Sequence, residues 1–219
     1  MAEFRLHCFA EAGNAYKIAL MLALTKADWE PVLVDVLKGE TAAPDFLALN
    51  PMGEVPVLEH LREGAAGPRP AEVIAQSGAI LDYLSIVLGA FDPGPENARE
   101  ALRWILWDNY TLTSKLAPWR VRLNLVPPDQ RVPEEIHYLQ SKALPALAVL
   151  DRHLESRDWI AAPWMTTADL SCAGEMFFSE QFPIDWEASY PALVAWRERI
   201  RALEGWAHPY DLMPGRRAA

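Results

Sequence analysis

The chain has 219 residues, of which 51% are hydrophobic, and a formal net charge of -10. That length and apolar content allow a sizeable core in one or two domains. The excess of acidic groups disfavours nucleic acid and anionic membrane as partners. No apolar run reaches the ~18 residues needed to span a membrane, and the amino terminus lacks a secretion-signal pattern.

Cysteine and histidine are too scattered to suggest a metal or redox motif. The only cysteines are Cys8 and Cys172, and the five histidines show no ligand-like pairing. We therefore expect a soluble, cytoplasmic protein with no metal site.

The first ninety residues alternate strand and helix signals. Hydrophobic periodicity predicts strands over residues 4–9, 29–37, 55–61 and 72–75, and helices over residues 15–26, 41–49 and 77–88. The order βαβαββα predicts parallel strands in the βαβ portion and an antiparallel closing pair. Residues 62–70, rich in Gly, Ala and Pro, are predicted to form a surface hairpin loop.

Beyond residue 88 the pattern becomes helical. Residues 89–97 contain two glycines and two prolines and are predicted to link an α/β domain (1–88) to an all-helical domain (98–219). Helices are predicted over residues 96–124, 134–154 and 191–203. Pro118 is expected to kink or end the first of these, and Pro145 to break the second.

A helix-start signature lies in the second half, at Thr166 and Asp169. Thr166 can cap a helix, and Asp169 three residues later can accept from the Thr166 backbone N–H. Met165 and Leu170 occupy the positions of a hydrophobic staple. We interpret Asp169 as a structural residue.

Two short motifs carry the functional information. Residues 50–58 read NPMGEVPVL, so Pro56 stands at the entrance of an apolar strand, and Gln76-Ser77 open an apolar helix. Alone, Pro56 is typical of an edge strand and Ser77 of a helix cap. Together, in this element order, they predict a site that holds a peptide-like ligand by its backbone and its carboxylate.

The element order, the Val-Pro and Gln-Ser motifs and the capping box together resemble the cytosolic glutathione transferases. Residues 11–17, EAGNAYK, look like the active-site loop of a bacterial branch, with Ala12 where serine is usual. The resemblance implies an α/β N-terminal thioredoxin-like domain that binds glutathione, an all-α C-terminal domain, and a homodimer.

The resemblance also implies roles for individual residues. The bond before Pro56 is cis in the family, which lets the Val55 backbone pair with the cysteinyl part of glutathione. Ser77 and the helix N-terminus hold the γ-glutamyl carboxylate. The remaining glutathione contacts implied are Gln76 at the same moiety, Glu54 near the ligand amine or the partner strand, Lys38 at the glycyl carboxylate, and Ala12 in the first loop.

Activation of the glutathione thiol is where the sequence departs from its relatives. A free thiol has a pKa of ~8.5, and a hydrogen-bond donor is needed to stabilise the thiolate. Ala12 offers no hydroxyl, so the candidate donor is Asn14, which matches an asparagine in the nu-class relatives. The alternatives are that Asn14 only caps the following helix, or that backbone N–H groups at residues 13–15 serve as donors.

In the family, the second substrate lies near the long helix after the linker, where Trp107 and Tyr110 are candidates for the electrophile pocket. The leading hypothesis is a transferase that uses glutathione as co-substrate with a small apolar electrophile. A non-catalytic glutathione-binding or carrier protein and a glutathione-dependent disulfide or peroxide reductase are the alternatives.

Overall fold

The computed structural model describes residues 2–62 and 69–215, which divide into two compact units. The described residues up to Ala90, together with the segment from Glu204 onward, make the first unit, and Phe91–Leu203 make the second. The sequence did not predict that the chain returns to the first unit after Leu203. The domain limits 1–88, 89–97 and 98–219 stay a prediction.

A four-stranded mixed sheet forms the centre of the first unit. The strands are β1 (Phe4–Cys8), β2 (Trp29–Leu33), β3 (Val57–Arg62) and β4 (Arg69–Ala75). Their order is β2-β1-β3-β4, with β1 parallel to β2 and antiparallel to β3, and β3 antiparallel to β4. The predicted parallel βαβ portion and antiparallel closing pair are both confirmed.

Helices of the first unit are α1 (Gly13–Leu24), α2 (Pro44–Leu49) and α3 (Ser77–Leu88). Phe4, Leu6 and Cys8 alternate along β1 and are fully buried, as are Ile18 and Leu22 of α1. This alternation commits one face of β1 to the core, as expected for a strand with a period of two. Of the predicted hairpin loop at residues 62–70, residues 63–68 lie outside the described residues, and β4 begins at Arg69.

The second unit is built from helices. They are α4 (Gly94–Trp107), α5 (Thr113–Asn124), α6 (Pro133–Leu154), α7 (Thr167–Cys172), α8 (Trp186–Ser189) and α9 (Pro191–Arg201); a further short helix, α10 (Pro209–Leu212), belongs to the first unit. Within the described residues no helix is long and apolar enough to cross a membrane.

The single long helix predicted over residues 96–124 is instead two helices joined by a π-helical turn at Asp108–Leu112. The Asp108 carboxylate is fully buried and accepts hydrogen bonds from Thr113 Oγ1 and Ser171 Oγ, each at 2.7 Å. These two bonds hold the Asp108 side chain inside the unit at the π-helical turn. Pro118 lies inside α5 and does not end it.

Pro145 does not break α6, contrary to the prediction, and the helix runs for 22 residues. A proline removes one backbone hydrogen bond and disturbs the preceding turn. The residues that follow it include Ala146, Leu147 and Leu150, which are buried. Because most helical stability in proteins comes from packing such a face, burial of these residues can offset the local loss.

The predicted capping box at the start of α7 is confirmed. Asp169 Oδ2 accepts from Thr166 N at 2.9 Å and Thr166 Oγ1 at 3.1 Å, while Oδ1 accepts from Ile160 N and Trp196 Nε1, each at 2.9 Å. Burial raises the pKa of Asp169, and the four donors oppose that rise. One carboxylate thus joins α7, α9 and the segment that precedes α7.

We predict that Asp169→Ala lowers the free energy of unfolding by at least ~3 kcal/mol, because buried donors lose a charged acceptor. Urea denaturation measures this loss. The matched control is Asp185→Ala, which removes an exposed cap that accepts one bond from Ala188 N at the start of α8. That change should cost only ~1 kcal/mol; equal losses in the two variants would contradict the assignment.

Candidate functional site

The register of β3 and β4 brings the two sequence motifs together. Val57 pairs with Ala75, so Val55-Pro56 and Gln76-Ser77 lie side by side although Ser77 is 21 positions after Pro56. A pocket forms where these motifs meet the start of α1. Its lining residues are Asn14, Asn50, Glu54, Val55, Pro56, Gln76 and Ser77.

The turn before β3 is braced internally and leaves the backbone of Val55 available. Asn50 Nδ2 donates to Glu54 O at 2.8 Å, and Asn50 Oδ1 accepts from Met52 N at 3.1 Å. The Val55–Pro56 bond is cis. Among the described residues, neither the N–H nor the C=O of Val55 has a hydrogen-bond partner, so both are free to pair with an extended ligand.

Asn50 is a lining residue that the sequence interpretation did not name as a site residue. It is 2% exposed, and both ends of its amide are used within the turn. An asparagine directly before a proline was the available signal, since asparagine side chains commonly hydrogen-bond backbone two residues on. Its role is to shape the turn that presents Val55.

Gln76 links β4 to α3 in a backbone conformation that favours glycine. Its φ is 71° and its ψ is 116°. Its side chain donates to Glu54 Oε2 at 3.2 Å across the pocket. A non-glycine residue with positive φ stores strain, which is typical of positions where the surrounding structure or a ligand needs that shape.

The amino-terminal end of α3 opens into the same pocket. The first intrahelical bond runs from Ile80 N to Gln76 O. In the part of the chain that the structure describes, the N–H groups of Ser77, Gly78 and Ala79 have no acceptor. Free N–H groups at the start of a 12-residue helix favour an anion such as a carboxylate.

Asn14 is the second residue of α1, and it does not cap that helix. The N-cap position belongs to Ala12, and it has no side-chain cap bond. Ser77 Oγ donates to Asn14 Oδ1 at 3.4 Å. Asn14 Nδ2 has no partner among the described residues. The amide nitrogen is therefore a donor available to a ligand, and the capping alternative is not what the structure has.

Two predicted glutathione contacts do not line this pocket. Ala12 and Lys38 are absent from its wall. Lys38 Nζ forms an exposed ion pair with Asp35 Oδ2 at 3.0 Å, which raises the pKa of Lys38 and lowers that of Asp35. The glutathione-binding roles of Ala12 and Lys38 stay predictions.

Trp107 and Tyr110, the candidates for an electrophile pocket, belong to the helical unit. The Trp107 ring meets Trp104 edge-on with centroids 4.9 Å apart. Tyr110 is 82% exposed in the π-helical turn, with Lys115 Nζ 5.9 Å from its ring centroid. Their role in holding a second substrate stays a prediction.

Neither cysteine is suited to act as a nucleophile. Neither is in a disulfide and both are buried, and burial raises the pKa of Cys8 to about 12. A thiol that stays protonated is a poor nucleophile. Among the described residues no group of three or more His, Cys, Asp and Glu side chains is arranged to hold a metal ion. Any thiol chemistry at this pocket therefore needs a thiol brought by a ligand.

The strain at Gln76 leads to a stability prediction. We expect Gln76→Gly to be ~1 kcal/mol more stable than Gln76→Ala, because both lose the side chain but only glycine adopts this φ without strain. Equilibrium unfolding in urea gives the difference. The assignment of strain would be contradicted if the glycine variant were no more stable than the alanine variant.

Comparisons with known proteins agree with the fold. Residues 4–85 match the family model for the N-terminal domain of glutathione S-transferase, and residues 120–204 match that for its C-terminal domain. A disulfide-bond oxidoreductase of Escherichia coli K12, YfcG, is 32% identical over 196 residues, which cover 89% of this chain and 88% of that protein.

Two further relatives span nearly the whole chain. Glutathione S-transferase 2 of Schizosaccharomyces pombe is 28% identical over 230 residues, covering 92% of each protein. A crystal structure described as a possible glutathione S-transferase from Rhodopseudomonas palustris superposes with a TM-score of 0.85 at 31% identity, over 97% of this chain and 100% of that one. The chain belongs to the glutathione S-transferase family.

Proposed function

We propose that the protein is a glutathione-dependent enzyme that binds the tripeptide in the pocket of the first unit and uses the glutathione thiol. The observation that carries this proposal is that three groups without partners among the described residues line one pocket. They are the amide nitrogen of Asn14, the backbone N–H and C=O of Val55, and the first N–H groups of α3. Membership of the family supports glutathione as the ligand.

The tripeptide would be held by groups of complementary chemistry. Val55 N–H and C=O pair with the cysteinyl backbone as an added strand. The N–H groups of Ser77 and Gly78 receive the γ-glutamyl carboxylate. The Glu54 carboxylate, which accepts a hydrogen bond from the Gln76 side chain, is proposed to bind the γ-glutamyl ammonium group. Lys38 is proposed for the glycyl carboxylate.

Asn14 is the proposed donor to the thiolate. The Ser77 hydroxyl donates to Asn14 Oδ1, which leaves the Nδ2 hydrogens for the glutathione sulfur. Each unit by which the thiol pKa falls corresponds to ~1.4 kcal/mol of preferential thiolate stabilisation. A neutral amide can supply an amount of that order without itself ionising, so the proposed activation needs no hydroxyl at Ala12.

Reduction of a disulfide by two glutathione molecules is the reaction we favour. The bound thiolate attacks one sulfur of the substrate disulfide, forming a mixed disulfide and releasing the other sulfur as a thiolate, which takes up a proton. A second glutathione thiolate attacks the mixed disulfide, so that oxidised glutathione forms and the substrate leaves as a dithiol or two thiols. Such exchange is fastest when the attacking thiol has a pKa near the ambient pH.

Two observations support this reaction. The relative at 32% identity is a disulfide-bond oxidoreductase. Cys8 and Cys172 are both buried, so the attacking sulfur is that of glutathione rather than that of the protein.

Conjugation of glutathione to a small apolar electrophile is the second candidate, since a relative at 28% identity is a glutathione S-transferase. Here the thiolate attacks carbon, a carbon–sulfur bond forms, and a leaving group departs. Trp107 and Tyr110 are the proposed apolar contacts. A glutathione-binding protein without turnover is the outcome expected if Asn14 binds the sulfur without lowering its pKa.

A cytoplasmic homodimer is the proposed state. Leu102 and Leu106 lie four residues apart on α4 and are 54% and 60% exposed, an apolar stripe suited to a partner. Cysteines outside any disulfide fit a reducing compartment.

We predict that the protein sediments as a dimer at micromolar concentration, and that Leu106→Glu shifts it toward the monomer. A monomeric wild-type protein would contradict this proposal.

The catalytic proposal is tested with Asn14→Ala. We expect the pKa of bound glutathione, read from thiolate absorbance, to rise by about 1 unit, because the donor is lost. At saturating glutathione, reduction of hydroxyethyl disulfide near neutral pH should fall about tenfold. The dissociation constant from calorimetry should change less than threefold, since backbone contacts remain.

Asn97→Ala is the matched control, because its amide nitrogen donates to Pro93 O at the start of a helix in the other unit. It should leave both the thiol pKa and the rate unchanged. If turnover and the pKa of the bound thiol are unaltered in Asn14→Ala, the proposed role of Asn14 as the thiolate donor is overturned. Faster reaction with chlorodinitrobenzene than with the disulfide would select conjugation instead.

A further inference from the structure

The C-terminal strap, which we define as residues 204–215, packs against the loop that leads into Asn14. Ala10 N donates to Pro214 O at 2.9 Å, and Tyr16 Oη donates to Ala207 O at 3.0 Å. These two bonds flank the loop, one before and one after Asn14. The strap and the loop belong to the same compact unit.

A third bond joins the strap to the loop itself, at Glu11. Tyr210 Oη donates to Glu11 Oε2 at 2.8 Å. Glu11 is 4% exposed and stands three residues before Asn14. A hydrogen bond to a buried carboxylate is among the stronger polar contacts, so Tyr210 fixes Glu11 more firmly than a surface contact could.

Close packing at the end of the strap adds a steric anchor. Gly215 has a φ of 128°, and a Cβ there would lie 2.8 Å from Phe9 Cδ2 and 3.2 Å from Ala10 N. Phe9 is buried. Only glycine allows the strap to approach the loop this closely.

The start of α1, which carries Asn14, has no side-chain cap. Ala12, the N-cap of α1, makes no side-chain cap bond. Within the loop one backbone bond, from Ala12 N to Phe9 O at 2.8 Å, closes the turn. A helix start without a side-chain cap is less stable than one capped by Ser, Thr, Asp or Asn. The contacts made by the strap therefore help to determine the position of Asn14.

We propose that the C-terminal strap sets the position of the thiol donor, with Tyr210 acting through Glu11 as a positioning residue for Asn14. This inference rests on the proposed function. Small displacements of catalytic groups, of about 1 Å, can cost up to ~10²-fold in rate. The strap therefore controls catalysis more than it controls glutathione binding, because Val55 and the α3 N–H groups lie on other elements.

The test uses the full chain with two independent changes. Tyr210→Phe removes the hydroxyl and keeps the ring, and Gly215→Ala pushes the strap away from Phe9. For each variant we expect turnover at saturating glutathione to fall about five- to tenfold. The pKa of the bound thiol should rise, and the glutathione dissociation constant should stay within about threefold.

The chain offers matched controls for both changes. Tyr138→Phe alters an exposed tyrosine on α6, and Gly89→Ala introduces a side chain at φ 61° where no atom lies within 4 Å. Both controls should keep the wild-type thiol pKa and turnover at saturating glutathione. A merely structural strap would lower the unfolding free energy in Tyr210→Phe and Gly215→Ala while leaving the thiol pKa of the folded protein unchanged.

Asn14→Ala, run in parallel, separates the two proposals. If it raises the thiol pKa while Tyr210→Phe and Gly215→Ala do not, the strap proposal is overturned and the proposed function stands. If Asn14→Ala itself has no effect, Asn14 is not the thiol donor, and both its proposed role and the strap proposal are overturned. A raised pKa in all three variants, with normal controls, supports both.

Discussion

The antiparallel pairing of β3 with β4 is the constraint on which the site depends. Because Val57 lies opposite Ala75, the turn that leads into β3 and the turn that follows β4 lie next to each other at the same end of the two strands. A shift of one residue in this register would reverse the faces of every side chain on the strand. The pairing therefore fixes Val55-Pro56 beside Gln76-Ser77, and α1 brings Asn14 to the same place.

The pocket offers an anionic ligand backbone donors rather than cationic side chains. Among the described residues that line it, Glu54 is the one with an ionisable side chain, so none of these residues supplies a cation to attract an anionic ligand. The free N–H groups of α3 supply the local positive potential, in a chain with a net charge of -10. An acceptor at Glu54 and donors at α3 match the ammonium and carboxylate groups that share the α-carbon of the γ-glutamyl residue, which is the physical reason for proposing this ligand.

Short-range patterns in the sequence predicted most of the fold. Alternation of apolar residues predicted the four strands, the element order predicted the parallel and antiparallel pairs, and the Thr166–Asp169 spacing predicted the capping box. The failures came where tertiary contacts decide the outcome. Buried hydrogen bonds of Asp108 accompany a π-helical turn where the predicted helix over residues 96–124 had no break, and α6 continues through Pro145.

The candidate site was predictable only in part. Val55, Pro56, Gln76 and Ser77 form local motifs, so their convergence followed from the element order. The competing interpretation of Asn14 as a cap could be settled only by the start of α1 at Gly13. The strap could not be predicted, because Tyr210 and Glu11 are 199 residues apart and no local pattern links them.

The central claim is that this pocket binds glutathione and favours its thiolate without a hydroxyl at Ala12. The most direct measurement is a pH titration of thiolate absorbance for glutathione bound to the wild-type protein, at saturation confirmed by calorimetry. The account predicts a pKa below the value of ~8.5 for a free thiol. Saturable binding with a pKa at or above that value would contradict it.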